Sequence, residues 1–201
     1  RYLFAHLNRA IEFEFRADPL FPEFFRSMDM LRKWTGENPD AMYLKAPIDG
    51  QGFYRVTGQA ANTKEWKTSK RGIKGPKAPR HVTFQTVSDV PGHTGEMAEM
   101  QQCKSQTLDF ITGLNLLTDR KGRFDLLIGP ERPANYKGNF LLSRKLLACP
   151  SNDTSAVKEA KWLAVREIFS DWENEIPLEL DIVRLDSAGL SKPPITVKQL
   201  T

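Results

Sequence analysis

The sequence has few cysteines and no long apolar run, and each shortage excludes a class of protein. Cys103 and Cys149 are the only cysteines in 201 residues, too few for a disulfide framework, and we expect two buried thiols in preference to one bridge. No apolar stretch approaches the roughly 18 residues of a membrane helix, so we expect no membrane partner. No signal peptide is visible, which slightly favours the cytoplasm, although the sequence starts at Arg1 and not at Met, which weakens that argument.

Signatures of catalysis and of cofactor binding are also missing. The sequence has no G-x-S-x-G motif, no glycine-rich phosphate loop and no dinucleotide-binding fingerprint. Neither cysteine has a histidine near it in sequence that could act as a base. His6, His81 and His93 have no zinc-ligand spacing among them. We therefore expect no cofactor and assign no metal.

The composition is that of one large globular domain, with or without a terminal extension. Hydrophobic residues make up 40% of the chain and charged residues 27%, which supplies material for a sizeable core. The net charge of +4 is mildly basic and too diffuse to indicate nucleic-acid binding by itself.

The N-terminal part predicts a helical hairpin. Apolar residues recur at helical spacing over residues 1–16, with Leu3, Leu7 and Ile11 on one face. Pro19 ends this helix, and a second helix is predicted over 20–34, where Gly36 stops it. We expect the hairpin, residues 1–35, to pack on the domain that follows.

After residue 36 the pattern changes to short strands separated by turns. Residues 42–48 and 53–57, joined by the glycine-rich stretch 49–52, predict a β-hairpin, and residues 119–122 predict a second hairpin turn. The further predicted strands are 81–87, 107–112, 115–118, 123–128, 139–142, 146–148, 163–169 and 178–185. Strands that do not alternate with helices argue against a parallel doubly wound sheet.

We therefore predict a mainly β fold, an antiparallel β-sandwich of jelly-roll type with an N-terminal helical hairpin. The sandwich is assigned to residues 36–186 and a C-terminal extension to 187–201. Seven residues are predicted to share one core between two sheets: Tyr43, Tyr54, Phe84, Phe124, Phe169, Leu180 and Ile182.

Several short motifs resemble the domain-of-unknown-function family twelve-fourteen, which often shares a chain with family twelve-fifty-four. The motifs are GENPDAMY from Gly36, APIDG from Ala46, YRVTG from Tyr54, D-x-x-GRF from Asp119, GNFL from Gly138, and VRE-x-F-x-DW from Val165 with E-x-P from Glu175. The resemblance covers about residues 36–186. It implies a β-sandwich of jelly-roll character and no established activity. Phe140 stands where the family usually has Trp, and residues 64–80 form an unusually long, charged loop.

The first candidate site is the acidic elbow, residues 171–175, between the last two predicted strands. On an extended backbone Asp171, Glu173 and Glu175 would project to the same side, as the paired carboxylates of a glycoside hydrolase require. Arg166 could hold one of them ionised, and we expect it to pair with Asp171 or Glu173. The alternative is a solvated turn with a structural ion pair.

Two further candidates are weaker. His93, Glu96 and Glu99 would share a helix face and could bind a metal, but Gly92 and Gly95 favour a surface loop. The basic loop, residues 64–80, carries seven cations around Trp66, and such a loop could hold a phosphate or a polyanion. Its anion-binding candidates are Lys67, Lys70, Arg71 and Lys74. The alternative is a solvated, mobile loop.

The sequence thus leaves three functions open. Strands without a catalytic constellation favour a β-sandwich module that binds a ligand or a protein partner. The alternatives are a hydrolase acting on a carbohydrate through the elbow, and a self-assembling structural subunit or homo-oligomer.

Overall fold

The structure is a computed structural model, and it describes residues 2–28, 38–68, 72–90, 103, 105–149 and 154–194. The candidate cluster of His93, Glu96 and Glu99 lies outside these residues, as do Lys70 and Arg71. The helical elements are α1 (Tyr2–Arg16) and a 3-10 helix (Lys64–Trp66). The strands are β1 (Phe25–Arg26), β2 (Ala41–Pro47), β3 (Tyr54–Gln59), β4 (His81–Val87), β5 (Thr107–Thr112), β6 (Arg123–Gly129), β7 (Asn139–Leu142), β8 (Arg144–Cys149), β9 (Thr154–Glu159), β10 (Trp162–Ile168) and β11 (Glu179–Arg184).

Within the described residues the strands form three sheets. Sheet I has the order β1-β2-β10-β4-β5, sheet II the order β11-β3-β6-β7, and β8 pairs with β9 as a ribbon. Every strand pair in these sheets is antiparallel except β6–β7, which is parallel. The prediction of a mainly β chain built from antiparallel sheets is confirmed.

Both large sheets contribute buried side chains to one apolar core. Alternate residues of the central strands of sheet I, such as Leu163 and Phe84, belong to the same cluster of buried side chains as Val56 and Leu126 of sheet II. Period-two alternation produces this result because successive side chains of a strand point to opposite faces. Burial of apolar surface stabilises by roughly 25 cal/mol per Å², so this shared cluster is the main source of stability.

Of the seven predicted core residues, four are in this cluster and three are not. Tyr54, Phe84, Phe124 and Ile182 belong to it, and Leu180 is partly buried against it. Phe169 is buried outside the cluster, and Tyr43 is half-buried. The prediction failed for Tyr43 because its neighbours Leu44 and Ala46 take the inward positions of β2.

The predicted hairpin over residues 42–57 is wrong, because β2 and β3 lie in different sheets. β2 pairs with β1 and β10, whereas β3 pairs with β6 and β11. The turn itself exists, since the amide of Gly52 donates to the carbonyl of Asp49 at 2.9 Å. Both strands have an apolar face directed at the one core, and placing them on opposite sides of it buries both faces.

The predicted second helix is also wrong over its described part. Residues 20–28 contain no helical turn, and Phe25–Arg26 pairs instead with β2 at the edge of sheet I. The edge position is held by the amide of Ser27, which donates to the carbonyl of Tyr43 at 2.9 Å. Phe25, which the prediction placed in this helix, instead packs edge-on against Trp162, with ring centroids 6.3 Å apart. The rest of that predicted helix, residues 29–34, lies outside the described residues.

Helix α1 forms as predicted, but the face expected to pack is the exposed one. Leu3, Leu7 and Ile11 face solvent. Phe13 instead contacts Phe25 and Trp162, with ring centroids 5.7 and 4.6 Å apart. Among the described residues, no helix has the length and apolar character needed to cross a membrane.

The predicted strands differ from those of the structure at two places, before the second turn and in the β8–β9 ribbon. Residues 115–118 form no strand, although the turn after them is present, with the amide of Gly122 donating to Asp119. Gly122 has φ +77°, and a Cβ there would lie 2.0 Å from the carbonyl oxygen of Ala60, so only glycine fits. β9 was missed because its residues are mostly exposed and show no apolar alternation.

The expectation of two free thiols is wrong. Cys103 and Cys149 form a disulfide across a sequence separation of 46 residues. Spacing in sequence carries no information about distance at that separation. The fold brings the two Cα atoms to 5.6 Å, within the range that a disulfide spans.

Candidate functional site

The acidic elbow forms a closed turn and not an extended segment. The amide of Glu175 donates to the carbonyl of Asp171 at 2.9 Å, and residues 172–174 form the turn between them. The alternation that would place Asp171, Glu173 and Glu175 on one side therefore does not hold. Of the three, only Glu173 extends into solvent without a side-chain contact to the described residues.

Glu175 anchors the elbow to the rest of the chain. Its carboxylate is almost fully buried, with 3% of the residue exposed. It accepts hydrogen bonds from the amide and hydroxyl of Ser170 at 2.9 and 2.8 Å and from the amide of Arg80 at 3.0 Å. All three donors come from neighbouring segments of the fold, so the Glu175 carboxylate has a structural role.

Asp171 pairs with Lys77, and not with Arg166 as predicted. The buried ammonium of Lys77 lies 3.5 Å from the Asp171 carboxylate. The side-chain amide of Asn174, with a smaller effect from Lys77, lowers the pKa of Asp171. Arg166, five residues before Asp171 in the sequence, places its guanidinium over the ring of Tyr43, 5.2 Å from the centroid. Neighbouring strands in register determine this contact, since Arg166 is opposite Tyr43 on β2.

The basic loop is held to the protein on both sides of its tip. Trp66 is buried, and its indole N–H donates to the carbonyl of Pro79 at 2.8 Å. The ammonium of Lys67 donates to the carbonyls of Leu114 and Leu116, both at 2.8 Å. Lys67 thus uses two of its three donors inside the protein, whereas Lys74 is exposed.

A groove of about 880 Å³ lies on the outer face of sheet II. We call it the sheet II groove. It is lined by strands β3, β6 and β11 and by the segment that connects β6 to β7. The polar side chains used below are Arg55, Thr57, Gln59, Asp125, Glu179 and Asp181, together with Tyr136 at one wall.

Strand register arranges these side chains in two rows. Asp181, Thr57 and Asp125 are direct neighbours across β11, β3 and β6. The next outward-facing row contains Glu179 beside Gln59. Neighbouring strands lie about 4.8 Å apart and alternate residues about 7 Å apart, so the rows form a regular grid of polar groups.

The two arginines of the groove are already paired with carboxylates. Arg55 Nε donates to the carboxylate of Asp125 at 2.6 Å, and this hydrogen bond raises the pKa of Arg55. Arg123 lies 2.8 Å from Asp119, whose pKa is lowered first by hydrogen bonds from the backbone amide of Arg123. Both pairs are exposed, so each contributes little to stability. They do cancel the positive charge that would otherwise attract an anion.

Two carboxylates remain without a cation. Glu179 and Asp181 are both exposed on the edge strand β11, and neither forms an ion pair within the part of the chain that the structure describes. The groove therefore has an excess of hydrogen-bond acceptors and a small negative charge.

The wall and floor of the groove are fixed by packing and by buried hydrogen bonds. Tyr136 packs edge-on against Phe140. A Cβ on Gly138 would lie 2.5 Å from the hydroxyl oxygen of Tyr136. The amide of the buried Asn139 accepts from the N–H of Leu117 at 2.7 Å and donates to the carbonyls of Leu117 and Asp125. Such a floor is formed before any ligand arrives, which lowers the entropy cost of binding.

Sequence reasoning identified none of the groove residues as a site. Their only local signal is polar alternation in three separate strands, which is also the signal of an ordinary solvated face. Asp181 and Asp125 are far apart in sequence, and only the order β11-β3-β6 brings them onto one surface.

A second, smaller groove of about 380 Å³ lies on sheet I. Its lining includes Tyr43, Lys45, Gln85 and Arg166, so this is where the predicted elbow partner Arg166 is found. Neither groove is lined by Asp171, Glu173 or Glu175. A search of the described residues finds no group of three or more His, Cys, Asp or Glu side chains placed to hold a metal ion.

Comparison with known proteins shows a shared fold. No family model matches the chain, so the resemblance to family twelve-fourteen stays a prediction. No curated protein matches it. Among solved structures, an uncharacterised protein from Burkholderia cenocepacia is similar, with a TM-score of 0.68 and 22% identity over 99% of this chain. The chain spans 44% of the length of that protein, and the likeness shows the fold alone.

Proposed function

We propose that the chain is a non-catalytic ligand-binding module built as a β-sandwich of jelly-roll type. The sandwich is supported by the core that both large sheets share. It is also supported by the crossings from β2 to β3 and from β10 to β11, which carry the chain from one sheet to the other. The observation that carries the binding function is the sheet II groove, whose 880 Å³ is a volume typical of ligand sites.

The ligand class that the lining favours is an oligosaccharide. Hydroxyl groups donate hydrogen bonds, and Glu179, Asp181 and Gln59 offer acceptors on a regular grid. Tyr136 adds an apolar aromatic surface next to them, which suits the carbon face of a sugar ring. An anionic ligand is disfavoured because the two arginines already have carboxylate partners.

Binding without hydrolysis is favoured by the state of the carboxylates. Glycoside hydrolysis needs one acid with a raised pKa facing the substrate. In the groove, Asp119 has a lowered pKa, and Asp125 is held in an ion pair. The carboxyl group with the strongly raised pKa is Glu167, which is fully buried and does not line the groove.

A glycan array followed by NMR titration tests the proposal. We expect an oligosaccharide from the array to shift the amide resonances of β3, β6 and β11. Tyr136→Ala and Glu179→Gln should each weaken that binding at least tenfold. Glu131→Gln, at an exposed position outside the groove, is the matched control and should leave it unchanged. Shifts on sheet I in place of sheet II, or no binding by any glycan, would contradict the proposal.

A further inference from the structure

The exposed face of helix α1 is an apolar stripe that the rest of the described chain leaves uncovered. Leu3, Phe4 and Leu7 are 79%, 75% and 57% exposed, and Ile11 and Phe15 continue the same face. At 100° per residue these five side chains fall within an arc of roughly 120°, the width of a helix face that normally packs on a core. We call these five residues the α1 stripe.

The helix is held to the domain by its other side. Phe13 packs on Phe25 and Trp162, and Arg16 lies over the ring of Phe25 at 5.8 Å. Turning the helix to bury the stripe would expose Phe13 and break these contacts. The stripe is therefore presented outward by a helix that is already docked.

The stripe has the size of a small interface. Aromatic side chains bury about 150–250 Å² each, and with the observed exposures the five side chains present on the order of 500 Å². The largest apolar patch on a monomeric protein is typically about 300–600 Å² and is often functional, so the α1 stripe is a candidate binding surface. Two such patches pressed together would bury about 1,000 Å² in total, the lower limit for a specific interface.

We propose that the partner of the α1 stripe is the α1 stripe of a second copy of this chain. Leu3, Leu7, Ile11 and Phe15 are four residues apart and form a single ridge, and ridges of that type interdigitate with one another in the commonest class of helix packing. In an antiparallel two-fold contact, Leu3 lies opposite Phe15 and Leu7 lies opposite Ile11. The ridge is therefore complementary to itself, as a two-fold dimer requires.

The charge of the helix favours a second copy over a lipid surface. Residues 2–16 contain two arginines and two glutamates, so two copies do not repel each other. Helices that lie on membranes carry an excess of Lys and Arg on the polar face, which α1 lacks.

Light scattering after size exclusion tests the dimer over a range of concentrations. We expect the mass to rise from 22.9 kDa towards twice that value as the concentration increases. Leu7→Glu and Ile11→Glu should shift the midpoint of dimerisation at least tenfold higher in concentration. Leu190→Glu, at another exposed leucine, is the matched control and should leave it unchanged. Circular dichroism should show an intact fold for all three variants, because each change is at an exposed position.

The antiparallel alignment has its own test. Because the two native cysteines are bonded to each other, an introduced cysteine is the only free thiol. A mixture of Leu7→Cys and Ile11→Cys proteins should cross-link into a heterodimer faster than either protein alone. A monomer at every concentration, or a dimer that persists in Leu7→Glu, would overturn the proposal. So would a monomer that binds neutral phosphatidylcholine vesicles through the stripe.

Discussion

At the scale of single residues, Glu167 is the group whose ionisation is most affected by the fold. It is fully buried in line with the core residues of β10, and its Oε2 accepts the amide of Leu178 at 2.9 Å. Its Oε1 has no hydrogen-bond partner among the described residues. Burial raises the pKa of Glu167 to about 7, against smaller lowering effects of the Leu178 amide and of Arg26. The hydrogen bond to Leu178 joins the end of β10 to the start of β11.

This raised pKa predicts a loss of stability as the pH rises. The folded protein holds the Glu167 proton up to about pH 7, while the unfolded chain releases it near pH 4.5. Between these values the folded state binds more protons, so the free energy of unfolding falls as the pH increases and levels off above 7. The difference of pKa corresponds to about 3 kcal/mol. Urea unfolding at pH 4.5 to 8 measures it.

Glu167→Gln is the control, because glutamine does not titrate. Relative to the wild type, the variant should gain about 3 kcal/mol between pH 4.5 and 8. His81 acts in the opposite direction, since burial and the nearby Arg166 lower its pKa. Comparing the two proteins at each pH removes that contribution. A constant difference across the range would show that Glu167 does not titrate there.

Phe169 supports a second prediction at this scale. It is 2% exposed, and its ring stacks on Trp172 with centroids 4.2 Å apart. Phe169→Ala leaves a cavity at the start of the elbow and should cost about 3–5 kcal/mol of unfolding free energy in urea titration. Phe110→Ala removes a ring that is 61% exposed and should cost much less. Equal effects would mean that Phe169 lies in no packed cluster.

At the scale of elements, the segments between strands are fixed by contacts that cross the fold. Glu175 connects the elbow to the end of the basic loop through Arg80, and Lys77 connects the same two segments through Asp171. The backbones of the two segments also pair in an isolated parallel β-bridge between Lys77 and Glu175. Each of the two features looks like an independent surface loop in the sequence, yet each is part of the other's support.

The basic loop gives a prediction that separates structural from binding cations. The chain should be retained on heparin in low salt, and retention should weaken steeply as salt is added. The triple variant Lys70→Ala, Arg71→Ala, Lys74→Ala should lose retention. Lys67→Ala should keep it, because its ammonium already donates to two carbonyls, and should instead cost about 1 kcal/mol of stability. No retention of the wild type would remove polyanions as partners.

At the scale of the whole molecule, the disulfide ties two distant parts of the chain. It closes a loop of 46 residues that contains β5, β6 and β7 and most of β8, and so spans sheets I and II and the ribbon. Bridges of this kind persist in oxidising compartments, which argues against the expected cytoplasmic location.

Removing the bridge should destabilise the folded state without changing its surface sites. The double variant Cys103→Ser, Cys149→Ser should lose about 2–4 kcal/mol of unfolding free energy, because the unfolded chain regains the entropy of an open loop. Adding a reductant to the wild type should give the same loss, while the variant should not respond. A wild type that is equally stable in reductant would show that the bridge does not constrain the unfolded chain.

The local order of this protein was determined by its sequence. The strands at 81–87, 107–112 and 139–142 were predicted at the bounds that the structure has, and α1 was predicted as a helix. Period-two or helical alternation marks which residues can share a face, and that information is carried by near neighbours. The strands that were missed, β1 and β9, are short or exposed and have no such alternation.

Everything that depends on distant parts of the chain was decided by the tertiary structure. The strands β2 and β3 are joined by a tight turn but belong to different sheets. The two cysteines, 46 residues apart, are bonded to each other. Arg166 contacts Tyr43 and not the elbow. The sheet II groove exists only because β11, β3 and β6 are neighbours. The physical reason is that burying an apolar strand face in the shared core stabilises the fold equally, whichever of the two sheets the strand belongs to. Alternation states that a face is apolar, and only packing decides which other face covers it.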